Sequence, residues 1–233
     1  MNSLKQVSPG IFSSKFELKK LAQKDEAKIL LISDSHGAAE KIKFVIENYA
    51  AECDALIFSG DGAQDLLGIV EDAHENSELK EKLPPVIAFV KGNNDPYQYL
   101  SKYNPAPKIT NILKKQSLYS IPVPKEVTLV AAKKKILVVH GHEQGVYYSS
   151  SGLTEKAKET KSKIVVFGHT HVAAEISYDT YMVNPGSISL PRQQTKPGFA
   201  FLFIFQKAVY SSFMNQENYS KMEFTTYTPY PFF

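Results

Sequence analysis

Five short apolar runs, each ending in polar residues, constrain this chain more than any other feature. They are KILLISD (28–34), ALIFSGD (55–61), PVIAFVKGN (85–93), KILVVHGH (135–142) and KIVVFGHTH (163–171). Continuous Ile/Val/Phe-rich runs of this length suit strands buried on both faces. Helical patterns lie between them. GAAEKIKFVIENYAAE (37–52) places Ile42, Val45, Ile46 and Tyr49 on one face, and QDLLGIVEDAHENSELKEKL (64–83) does the same with Leu66, Leu67, Ile69 and Val70. Strand–helix alternation implies an α/β chain with a largely parallel sheet. The later part changes character. YMVNPGSISLP, GFAFLFIF and KMEFTTYT read as strands without intervening helices, which suggests a second sheet packed on the first. KKK (133–135) is expected at a solvated turn, and NPAPKITNILKKQ (104–116) as a loop and short helix. Residues 1–27 are expected as an N-terminal extension with one amphipathic helix in FELKKLAQKDE, and residues 28–233 as a single domain.

A chain of 233 residues is ample for a sizeable core. No stretch approaches the roughly 18 apolar residues of a membrane-spanning helix. The first residues lack the apolar centre of a secretory signal, so the cytoplasm is the expected location. The single cysteine, Cys53, excludes an intrachain disulfide and a thiolate-rich zinc site, and it reads as a small core or helix-end residue. A net charge of +3 is too weak to argue for a nucleic-acid polymer as partner. Of the 27 basic residues only Arg192 is arginine, so the chain offers one bidentate guanidinium fork.

The polar residues fall where the apolar runs end. The first run delivers Asp34 and His36, the second Asp61, the third Asn93, Asn94 and Asp95, the fourth His140 and His142, the fifth His169 and His171. Ligands of open α/β sheets bind outside the carboxyl ends of the strands. Five of the six histidines therefore converge on one edge, while His74 reads as a solvated surface residue. Buried unpaired carboxylates and imidazoles would each cost several kcal/mol, and a cation is their natural partner. Imidazole and carboxylate donors without thiolate suit Mn, Fe, Zn or Ni. So many donors exceed one open catalytic site and match two metals sharing a bridge. In an extended segment, side chains two apart point the same way, which would let Asp34 and His36 chelate one ion and His169 and His171 reach neighbouring ones.

DSH (34–36), GD (60–61), GNND (92–95), HGH (140–142) and GHTH (168–171), in that order, resemble the five motifs of the calcineurin-like metallophosphoesterases. The set is most similar to the small prokaryotic, YfcE-like phosphodiesterase branch, and NPGSISLPR (184–192) resembles that branch's segment after the last motif. The resemblance implies a four-layer α/β/β/α sandwich of two mixed sheets. It implies one metal held by Asp34, His36, Asp61 and His171, and a second by Asp61, Asn93, His140 and His169. Asp61 then bridges the two, with a water or hydroxide. Asn94 stands where many relatives carry a catalytic histidine. Asp95 is expected to orient its neighbours.

On this reading the chain is a metal-dependent hydrolase of small phosphodiesters, in which a hydroxide bridging two metal ions attacks phosphorus. Asp61 and Asn93 serve the reacting centre, and His142 is the candidate for donating a proton to the leaving oxygen or binding a phosphoryl oxygen. Mn2+ is the expected metal, with Ni2+, Zn2+ and Fe as alternatives. A diester is preferred over a monoester because its single negative charge needs fewer cationic clamps, and Arg192 is the only arginine beside the metals. Two alternatives differ in class: a phosphomonoesterase, and an idle protein-binding scaffold such as the retromer sorting subunit, which lacks part of the donor set. A homodimer is expected only because two-fold dimers are the commonest assemblies.

Overall fold

The computed structural model describes residues 2–104, 118–218 and 221–229. Beyond residue 104, the expected loop and helix at 104–116 lie outside the described residues. The chain opens with β1 (Gln6–Ser8), β2 (Ile11–Phe12) and α1 (Lys15–Gln23). Alternation follows: β3 (Glu26–Ile32), α2 (Ala39–Tyr49), β4 (Ala55–Phe58), α3 (Ala63–Asp72), α4 (Ser77–Lys82) and β5 (Val86–Phe89). Next come a ribbon of β6 (Gln98–Ser101) and β7 (Tyr119–Pro122), then β8 (Glu126–Ala131), β9 (Lys134–Val139), α5 (Ser151–Thr160), β10 (Ile164–Val166), β11 (Ala174–Ser177) and β12 (Tyr181–Asn184). β13 (Gly198–Phe205), β14 (Val209–Asn218) and β15 (Glu223–Tyr227) complete the order.

Two mixed sheets result. The larger runs β1-β2-β5-β4-β3-β13-β14-β15, with β3, β4 and β5 parallel and β13 antiparallel to β3. The smaller runs β11-β12-β10-β9-β8, with β9, β10 and β12 parallel. Period-two alternation sorts their side chains. Ile29 and Leu31 of β3 meet Ile136 and Val138 of β9 and Ile164 and Val166 of β10 in the cluster between the sheets. Leu30 and Ile32 point the other way, against Ile42, Val45 and Ile46 of α2 and Leu66 and Val70 of α3. On the far side, Leu137, Val139 and Val165 pack against Leu153 and Ala157 of α5. Three apolar interfaces thus bind four layers, α/β/β/α. Each fully buried Leu, Ile, Val or Phe contributes about 1.5–3 kcal/mol relative to exposure.

Several local details differ from the sequence reading. The pattern at 64–83 is two helices, because the Asn76 side chain accepts from Leu79 N at 3.0 Å and starts α4 afresh. Of the late strands only YMVN, which is β12, belongs to the second sheet. β8 to β12 build it, whereas β13 returns to pair with β3 and carries β14 and β15 with it. Both faces of β13 are apolar, with Phe199 and Phe201 toward the helices and Ala200, Leu202 and Ile204 between the sheets, so it fits an interior position of the larger sheet. The helix expected in the N-terminal extension is α1, capped by Ser14. The residues before it do not stand apart: β2 pairs with β5, and Leu4 and Phe12 are buried. Of the KKK run only Lys133 lies in the turn from β8 to β9, Lys134 and Lys135 opening β9, and Cys53 is buried in the helix-side core.

Candidate metal centre

Register brings the site together. Ile32 pairs with Phe58 and Phe58 with Phe89, so the motifs after β3, β4 and β5 leave the large sheet at one level. Val138 pairs with Val166, which does the same for the motifs after β9 and β10. The backbone there is not extended. Asp34, His36, Asp61, His169 and His171 all have positive φ, between 45° and 70°. The two-apart geometry expected for DSH and for the two histidines of GHTH is therefore replaced by sharp left-handed turns. For non-glycine residues this conformation costs about 1–2 kcal/mol each and persists where the surroundings enforce it, typically at functional sites.

Asp34 is fully buried. Its Oδ2 accepts from Ser33 Oγ at 2.6 Å and from His169 N at 3.2 Å. Its Oδ1 lies 3.3 Å from His171 Nε2, 3.9 Å from His140 Nε2 and 4.0 Å from His36 Nε2. Asp61 Oδ2 lies 3.4 Å from His140 Nε2 and 3.8 Å from His36 Nε2. Burial alone would raise the Asp61 pKa, but His140 and the two Asn94 hydrogen bonds outweigh it and hold the carboxyl well below the usual carboxylate range. The donor atoms of Asp34, His36, Asp61 and His171 all fall within 4.8 Å of one another.

The imidazoles are oriented from behind. His140 Nδ1 donates to Ser59 O at 2.7 Å and His171 Nδ1 to Leu190 O at 2.5 Å, so each turns its Nε2 toward the cluster. His36 and His171 face each other Nε2 to Nε2 at 3.1 Å, a separation that needs a proton or a cation to satisfy both. The His169 ring lies 5.0 Å from that of His140. Burial, with His140 next, pushes the His169 pKa down to about 4, so this imidazole is neutral at pH 7. His142 is half-buried, its ring 5.4 Å from His140 and 5.9 Å from His169.

A divalent cation fits these residues. Asp34 Oδ1 and His140 Nε2 are buried without hydrogen-bond partners, although both point into a polar cluster. Such orphans are costly unless something compensates them. Carboxylate oxygens and neutral imidazole nitrogens are donors that first-row divalent ions take.

The structure brings Asp34, His36, Asp61, His140, His169 and His171 together. Asn93 is exposed. It is Asn94 that contacts Asp61, giving its backbone N–H to Oδ1 at 2.8 Å and Nδ2 to Oδ2 at 2.6 Å. Asp95 accepts from Gly62 N, Ala63 N and Gly92 N, all at 2.9 Å, and so locks the GNND turn to the start of α3. The NPGS segment is a buckle across the site. Ser187 Oγ and Ser189 Oγ donate to the Asp34 carbonyl, while Asn184 Nδ2 donates to Gly168 O and Thr170 Oγ1. The sequence displayed these residues but not their roles, because most of their hydrogen bonds span more than ten positions.

Fold and site together define a phosphoesterase class. Residues 27–207 match the calcineurin-like phosphoesterase superfamily domain, and the chain belongs to that superfamily as a metal-dependent phosphoesterase. It is 30% identical over 191 residues to the probable metallophosphoesterase YsnB of Bacillus subtilis, covering 81% of this chain and 90% of that one. A crystal structure of a conserved uncharacterised protein, a predicted phosphoesterase from Streptococcus pneumoniae, shares the fold with a TM-score of 0.59 at 22% identity, covering 88% of this chain and 99% of that one. So does vacuolar protein sorting 29 of Cryptosporidium parvum, with a TM-score of 0.60 at 16% identity, covering 88% and 98%. No helix among the described residues is long and apolar enough to cross a membrane.

Proposed function

We propose that this chain is a phosphodiesterase acting on small phosphodiesters with two divalent ions. Asp34, His36, Asp61 and His171 would hold one, and Asp61, His140, His169 and Asn93 the other. The observation that carries the reading is the pair of buried, unpartnered donors, Asp34 Oδ1 and His140 Nε2, aimed into one cluster. When bound, two such ions supply an activated water and offset the charge of the phosphoryl group.

The chain's own residues then do the positioning. Asn94 donates to both oxygens of Asp61, which would hold this carboxylate for sharing between the two ions. Ser59 and Leu190 fix the tautomers of His140 and His171. His142, whose pKa burial and His140 push down, carries a neutral ring that donates a hydrogen bond toward a phosphoryl or leaving oxygen. No side chain is needed as a nucleophile. Cys53 is buried in the helix-side core, where burial pushes its thiol up to about 12. The full donor set favours an enzyme over a binding scaffold, and the single guanidinium favours a singly charged diester over a monoester. Mn2+ suits the oxygen and nitrogen donors.

The test is hydrolysis of bis-p-nitrophenyl phosphate after chelation, with Mn2+, Ni2+, Zn2+ or Mg2+ restored singly, beside p-nitrophenyl phosphate. Metal-dependent turnover with a higher kcat/KM for the diester is expected. A higher value for the monoester would overturn the diester assignment. His142→Ala should lower kcat with metal content unchanged, and an unaltered kcat would remove it from the reaction.

A further inference from the structure

One tyrosine and the chain's one arginine stand together beside the GHTH loop, and the hydrolytic reading gives neither side chain a contact with the substrate. Tyr147 is 44% exposed. Its ring meets His169 edge-on with centroids 4.8 Å apart, and its hydroxyl donates to His169 O at 3.0 Å. Arg192 Nη1 donates to that same hydroxyl, and Arg192 N donates to His171 O at 3.3 Å. Arg192 is thus tied to both histidine positions of the loop, its guanidinium through Tyr147 and its backbone directly. Among the described residues its side chain bonds to Tyr147 and pairs with no carboxylate. A guanidinium carries five N–H donors in a fixed fork, so most of them remain free to meet an anion. Two further exposed apolar side chains come from the same two segments. Tyr148 is 90% exposed and Leu190, whose carbonyl holds the His171 ring, is 53% exposed.

We propose that Arg192 and Tyr147 form a substrate-positioning pair that selects phosphodiesters carrying an aromatic ester group. The guanidinium binds a non-bridging phosphoryl oxygen on the His169 side of the cluster. The Tyr147 ring, continued by Tyr148 and Leu190, receives the aromatic ring of a nucleoside or aryl ester. The Tyr147 hydroxyl holds the fork in place. This inference rests on the phosphodiesterase reading and names the substrate class for that same site.

Phosphonates test it without turnover, because their carbon–phosphorus bond is not an ester. The metal-loaded chain is titrated calorimetrically with methylphosphonate and phenylphosphonate. Phenylphosphonate should bind about three- to tenfold tighter. Arg192→Ala should weaken both by about tenfold or more. Tyr147→Ala should abolish the phenyl preference. Tyr147→Phe should keep that preference while weakening both ligands, since only the hydroxyl is lost. Both residues are exposed, and unchanged melting temperatures would show that the variants fold. In parallel, Arg192→Ala should raise KM for bis-p-nitrophenyl phosphate more than it lowers kcat. Equal affinity of the wild type for the two phosphonates would overturn the aromatic assignment, and affinities unaffected by Arg192→Ala would overturn the anion contact. Absent diester turnover alongside an intact phenyl preference would sink the hydrolase reading alone.

Discussion

Replacing Asp34 by asparagine separates what the site costs from what it binds. Asp34 is fully buried; its Oδ2 has two donors, while its Oδ1 has none and faces three imidazole nitrogens at 3.3–4.0 Å. In the metal-free chain this carboxylate is desolvated with incomplete compensation. The amide keeps the shape and removes the charge. Metal-free Asp34→Asn should therefore be as stable as the metal-free wild type, or about 1–2 kcal/mol more stable. Metal reverses the order. At about a hundredfold excess over its dissociation constant, a bound ion stabilises the wild type by about 2.7 kcal/mol. For a chain of this size that is a rise in Tm of about 5–10 °C. The variant should rise by less than about 2 °C, because its strongest oxygen donor is gone. Thermal melts followed by circular dichroism, in chelator and in Mn2+, read both arms. Equal metal-induced shifts in the two proteins would refute the reasoning, as would a metal-free variant weakened by more than about 3 kcal/mol.

Asn184→Ala should cost about 1–3 kcal/mol in urea unfolding, because it leaves Gly186 N without its acceptor and removes one donor each from Gly168 O and Thr170 Oγ1. Gly92→Ala should lower metal affinity by about tenfold or more in equilibrium dialysis, since a Cβ there would overlap the Asp61 carboxylate. Cys53, with its thiol pushed up to about 12 by burial, should be almost all protonated at pH 8. It should thus react with a disulfide reagent far more slowly in the folded chain than in urea.

What the sequence disclosed, and what it did not, follows from the range of each interaction. Buried strands advertise themselves as apolar runs, and their carboxyl ends announced the polar motifs. The four-layer architecture needed the motif resemblance, since apolar runs do not say which strands share a sheet. The return of β13 to β3 pairs residues about 170 positions apart, Ala200 with Leu31 among them, and both faces of that strand are equally apolar. The break at Asn76 was visible as a capping residue before Ser77 and Glu78, but the helical period ran through it. The left-handed backbone at Asp34, His36, Asp61, His169 and His171 is uncommon for any non-glycine residue, and although Asp and His adopt it more readily than most, the motifs do not mark which positions turn. Asn94 rather than Asn93 reaches Asp61 because the GNND turn is set by Asp95, whose three backbone partners come from two separate loops.

The most direct measurement is the number of Mn2+ ions bound per chain, by equilibrium dialysis with elemental analysis, for the wild type and Asp61→Asn. Two ions on the wild type, with both sites weakened by the one substitution, is the predicted result. A single ion, or a second ion indifferent to Asp61, would contradict a centre built around that shared carboxylate.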